Sequence, residues 1–160
     1  MKTSTVVSWL FLFSFFLATT AQAQEYPKGH GALEIFDAEG MEAAPQWVMT
    51  WIMFMAASFA AGLLFVWKHP VARWVVGCFV AGIVALTISA QFGVRQLSGF
   101  IALMHIVFWS PALYQLLAKR PFIAEKITPF SIWSGLITAV ILFSFIFDFR
   151  DAAIYLNHLI

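Results

Sequence analysis

The sequence predicts an all-α, polytopic membrane protein: a four-helix transmembrane bundle that follows a cleaved signal peptide. Three observations carry that expectation. The chain is 62% hydrophobic and 11% charged, with a mean hydropathy of +0.86, whereas soluble domains run near half apolar and about a quarter charged. The apolar residues fall into runs of bilayer length rather than being scattered. A short leader with a processing site precedes those runs. A globule of 160 residues has too much surface to hide so much apolar side chain, and hydrocarbon is the simplest place for it.

Residues 1–23 read as the signal peptide. Lys2 gives the positive start, Val6 to Leu17 the apolar stretch, and Ala21-Gln22-Ala23 the small-residue cleavage site. That stretch is shorter than the roughly 20 residues a span needs. Cleavage after Ala23 leaves Gln24 as the new N-terminus; if retained, the leader is a fifth, anchoring helix. Residues 24–45 form an acidic outer segment, with Glu25, Glu34, Asp37, Glu39 and Glu42 set against Lys28. A short helix is expected over Ala32 to Ala44, where Leu33, Ile35, Phe36 and Met41 supply apolar surface. The acidic spacing does not match a calcium loop, which places its ligands at fixed positions.

The membrane domain spans residues 46–147. Its four apolar runs are Trp47 to Trp67, Trp74 to Phe92, Phe100 to Leu117 and Phe130 to Phe147, each close to the length of a bilayer helix. Short links between them force neighbouring helices to run antiparallel. With Gln24 outside, the first and third links face the cytoplasm and carry Lys68, Arg73, Lys119, Arg120 and Lys126; the outer parts carry Lys28, Arg95 and Arg150. This asymmetry follows the positive-inside bias. Trp47, Trp67, Trp74 and Phe130 fall where interfacial aromatic belts belong. Residues 148–160 are too polar to span and are expected as a short amphipathic helix on the outer surface.

Helices in lipid associate through small residues and through polar side chains. Ala57 with Ala61, Ser58 with Gly62, Gly77 with Ala81, Ala85 with Ser89, Ser131 with Gly135 and Ser134 with Thr138 each repeat at four-residue spacing. Pro111 removes a hydrogen bond inside the third run, leaving the Val107 carbonyl without its usual donor.

His105 is the strongest candidate for chemistry. An ionisable residue at that depth is rare and faces an interior or a cavity. Trp109 shares its helix face, and Tyr114 completes a proposed cofactor-binding set of His105, Trp109 and Tyr114. Haem ligation, quinone binding and proton transfer are the functional readings. A neutral histidine bonded to Ser89, Ser134 or Thr138 is the structural one. The other histidines, His30, His69 and His158, lie outside the spans, so a second axial haem ligand is missing from the bundle. Arg95 and Asp148 fall at the same end of the bundle and are expected to form an ion pair. The lone Cys78 makes no intrachain disulfide.

No metalloprotease, nucleophile-elbow, P-loop, dinucleotide or CxxC motif occurs, and no cofactor, metal or catalytic residue is specified. The net charge of +1 without a basic patch excludes nucleic acid as a natural partner. The expected partners are the lipid bilayer and other membrane subunits or a second copy of the chain. The expected role is an accessory or structural component of a bacterial inner-membrane assembly, with both mature termini outside. The alternatives are a quinone- or cofactor-binding redox component using His105, or an oligomeric small-solute transporter.

Overall fold

A computed structural model describes residues 31–160; the leader, its cleavage site, Lys28 and His30 lie outside the described residues. Among the described residues every regular element is helical. They are α1 (Ala38–Ala43), α2 (Gln46–Ala61), a 3-10 turn (Gly62–Leu64), α3 (Pro70–Gln91), α4 (Ser98–Lys119) and α5 (Pro129–Leu159). Four helices are long and apolar enough to cross a membrane, the first counted through its 3-10 turn to Leu64. At 1.5 Å per residue, α3 and α4 each measure about 33 Å, against roughly 30 Å of bilayer hydrocarbon.

Local chemistry sets the helix ends. Pro70 and Pro129 occupy the first turns of α3 and α5, where a missing N–H costs nothing. Thr128 caps α5 by accepting from the Ser131 backbone N–H at 3.1 Å, while the Ser131 hydroxyl accepts from the Thr128 N–H at 2.8 Å. The turn into α3 is tied by Arg73, whose Nε donates to the Val66 carbonyl at 2.8 Å. His69 of that turn stacks on Phe130 with ring centroids 3.6 Å apart. α4 ends where Arg120 takes a left-handed conformation with φ of 48°.

The helices alternate in direction. One end of the bundle gathers residues 31–45, the 92–97 turn and the last turns of α5; the other gathers the 65–69 and 120–128 links. α4 packs most extensively, against α3 on one side and α5 on the other, while α2 lies across α5. The core joins Phe59, Val75, Trp109, Leu116, Trp133, Ile137 and Ile141. Phe59 sits between Phe79, at 4.4 Å, and Trp109, at 4.9 Å. The Trp133 indole N–H crosses to the Ser58 carbonyl at 2.9 Å, which gives a buried polar group its partner.

Two local expectations change, and one groove of small residues faces outward. The helix foreseen over Ala32 to Ala44 shrinks to α1, capped by the Asp37 carboxylate at the Gly40 N–H. Residues 32–36 instead run as a strap along the 96–99 segment. The Gly99 N–H donates to the Ala32 carbonyl at 2.7 Å, the Ser98 N–H to Glu34 at 2.9 Å, and the Phe36 N–H to Gln96 at 2.8 Å. Tertiary pairing thus satisfies these backbone groups and removes the need for a longer helix. The tail foreseen as a separate helix continues α5 without a break to Leu159. Its polar residues end the hydropathy but none of them breaks helical hydrogen bonding. Finally, Gly77 and Ala81 are exposed on α3, and a Cβ at Gly77 meets nothing within 4 Å. Gly82 is the buried glycine of that helix, against Phe108.

Candidate functional site

α4 and α5 bring His105 and Asp148 together near the strap end of the bundle. His105 lies two turns into α4, and Asp148 lies about 29 Å along α5 from Pro129, close to one hydrocarbon thickness. His105 Nδ1 and Asp148 Oδ1 are 3.3 Å apart, with side chains 22% and 13% exposed. An ionised carboxylate fixes the proton on Nδ1, which donates. Nε2 is then an acceptor in the neutral ring and a donor in the imidazolium. On its other side the imidazole stacks on Trp109, with centroids 4.0 Å apart and planes 13° from parallel. Trp109 is itself only 2% exposed, so the ring is clamped between a carboxylate and a core indole.

The pair forms part of the wall of a cavity of about 190 Å³ between α2, α4 and α5. Ser98, Ser144 and Asp151 join it on the polar side. Trp47 and Trp51 of α2, and Phe143 and Phe147 of α5, supply aromatic faces; the Trp51 and Phe143 rings meet edge to face at 4.7 Å. Phe36 of the strap lines the cavity as well. Its backbone is pinned to Gln96, so the strap and the cavity are one structural unit. The Ser144 hydroxyl is turned to Met55 Sδ, 3.6 Å away.

Two buried carboxylate oxygens have no hydrogen-bond partner among the described residues, Glu34 Oε2 and Asp148 Oδ2. Only Asp148 belongs to the cavity wall. A buried acceptor left without a donor costs about 1–3 kcal/mol, and a charged one costs more. The neighbouring carboxylate of Asp151 lies within reach of two charges of opposite sign, Arg150 and Asp148. Asp148 is therefore the cavity-lining residue, among the described ones, that carries a buried oxygen without a partner.

The placement differs from expectation in several respects. Asp148 pairs with His105, and among the described residues no ion pair joins it to Arg95, which is exposed in the turn before α4. Tyr114 lies nine residues beyond His105; at about 100° per residue that is the opposite face of α4, and it is 68% exposed. The hydroxyls foreseen as partners of His105 are engaged elsewhere: Ser134 with the Ser131 carbonyl, Thr138 with that of Ser134, and Ser89 with that of Leu86. Sequence reasoning missed Asp148 as the histidine's partner, and it missed the aromatic wall from α2. Among the described residues no group of three or more His, Cys, Asp or Glu side chains could hold a metal ion. His69 sits at the far end of the bundle on Phe130, so it cannot serve as a second haem ligand to His105. No protein family, curated protein or solved structure matches this chain.

Proposed function

We propose that this chain is a multi-pass protein of the bacterial inner membrane that binds a small amphipathic molecule in the cavity beside His105. The observation that carries the reading is the His105–Asp148 pair on the wall of an aromatic-lined cavity of about 190 Å³. Concave, mostly apolar sites with a few convergent polar groups are where small molecules bind. An ionisable pair at such depth is costly without a task.

The orientation we propose puts the strap, the 92–97 turn and the end of α5 outside. Lys68, Arg73, Lys119, Arg120 and Lys126 then face the cytoplasm, and the cavity opens in the outer leaflet. Helices rather than a β-barrel, together with the leader motif ending at Ala23, support the inner membrane. A ring-headed molecule such as a quinone is one suitable ligand: its ring packs on Trp51 and Phe143 while the imidazole meets a carbonyl. Transport would need a path through the core formed by Phe59, Trp109 and Ile141.

Native mass spectrometry of the protein, released from its own membranes into nanodiscs, tests the reading. A small molecule is expected to accompany the wild-type chain and to be lost from folded His105→Ala and Trp51→Leu variants. A wild-type chain that carries nothing, or variants that carry the same masses, would sink it. The role as an accessory component of a larger assembly would then be the reading to pursue.

A further inference from the structure

The polar groups of the cavity narrow the kind of head group it accepts. Its lining holds two carboxylates, Asp148 and Asp151, together with His105, and it contains no lysine or arginine. Asp148 Oδ2 is buried and has no donor among the described residues, while Oδ1 of the same carboxylate lies 3.3 Å from His105 Nδ1. Around these groups stand Trp47, Trp51, Phe143 and Phe147, whose ring faces attract cations. We propose that the pocket is selective for an alkylammonium group carried on an apolar chain, with the ammonium beside the Asp148 and Asp151 carboxylates and against the aromatic wall. The inference rests on the binding role proposed above and adds the charge of the ligand to it.

A neutral donor, such as a quinol or alcohol hydroxyl, also supplies a hydrogen to a carboxylate oxygen. It adds no positive charge, however, to a wall where His105 is the one basic side chain facing two carboxylates, and burial makes uncompensated charge costly. An ammonium supplies the hydrogen and the opposite charge together. A cavity of about 190 Å³ has room for such a head and its first methylenes. The rest of the chain runs out along the seam between α2 and α5, where Val48 and Ile52 line the wall. The same ammonium could reach the site on a free single-chain amine or on a phosphatidylethanolamine headgroup.

The test is calorimetric titration of the full chain in phosphatidylglycerol nanodiscs, with empty nanodiscs as the blank. The probes are decylamine, decanol and a decyl-substituted benzoquinol. Decylamine is expected to bind about tenfold or more tightly than either neutral probe. Asp148→Asn should reduce that preference to within about twofold by weakening decylamine far more than decanol. Trp51→Leu should weaken decylamine more than decanol, which keeps the proposal testable should Asp148→Asn fail to fold. Repeating the titration with phosphatidylethanolamine in the disc identifies the carrier: competition with decylamine supports the lipid headgroup, and none supports the free amine. Equal binding of all three probes, indifferent to Asp148→Asn, would overturn the selectivity and leave the binding role standing. A failure of every probe, together with no molecule retained from native membranes, would remove both.

Discussion

Gly62, in the 3-10 turn, and Gly77, in α3, face opposite surroundings. A Cβ at Gly62 would lie 2.7 Å from Trp133 Cζ2 and 2.8 Å from Val76 Cγ2; one at Gly77 would meet nothing within 4 Å. The Trp133 ring cannot retreat easily, since its N–H is held by the Ser58 carbonyl. Gly62→Ala is therefore expected to destabilise the bundle by about 1–3 kcal/mol through overpacking. Gly77→Ala is expected to be neutral or stabilising by up to about 1 kcal/mol, because alanine is the better helix former. Reversible unfolding in mixed micelles measures both; equal effects would mean that the packing around Trp133 is not as described. Residue-scale legibility was uneven in the same way. The Ser58/Gly62 spacing marks a contact within the bundle, whereas the Gly77/Ala81 spacing marks an outward face, because spacing marks a smooth face without saying what meets it.

At the scale of elements, the strap is the least autonomous part of the fold. It keeps its place by hydrogen bonds from Phe36, Ser98 and Gly99 and by a close approach at Gly99, where a Cβ would lie 2.6 Å from both the Asp151 carbonyl and Tyr155 Cβ. Two of the three nearest atoms there are backbone, so they cannot swing aside. Gly99→Val is expected to release residues 31–37, raising the rate of limited proteolysis in that segment about tenfold or more while the four long helices keep their circular dichroism. Unchanged cleavage would show that the strap is held by something other than this contact. None of this pairing was visible in the sequence, which suggested a longer helix over the same residues. Local propensity there is weak, and the deciding partners lie 60 or more positions away, as between Phe36 and Gln96 or Ser98 and Glu34. The long helices were legible because a bilayer-length apolar run leaves the backbone no alternative in lipid. The end of α5 was not, since hydropathy stops at Asp148 while helical hydrogen bonding does not.

For the whole molecule, the proposed orientation yields a test independent of any ligand. The turn holding Val94 and the link holding Ile123 fall at opposite ends of the bundle, and both side chains are exposed. In a Cys78→Ser background, Val94→Cys is expected to react with a membrane-impermeant maleimide added outside spheroplasts. Ile123→Cys should react only after lysis. The reverse pattern would place the His105 cavity in the inner leaflet and its ligand in the cytoplasmic half of the membrane.

Apolar run lengths, a property of composition along the chain, were enough to determine the helical class, the number of long helices and their approximate bounds. They also singled out His105, because an ionisable side chain inside an apolar run is conspicuous without any neighbour. Only the tertiary structure decided what His105 does with its ring: a carboxylate 43 positions away on α5, an indole on α4 and aromatic faces from α2 meet around it. The physical reason is that solvation by lipid acts on each segment separately. A pocket depends on helix rotation and on which side chains face one another, and those follow from close packing across the bundle.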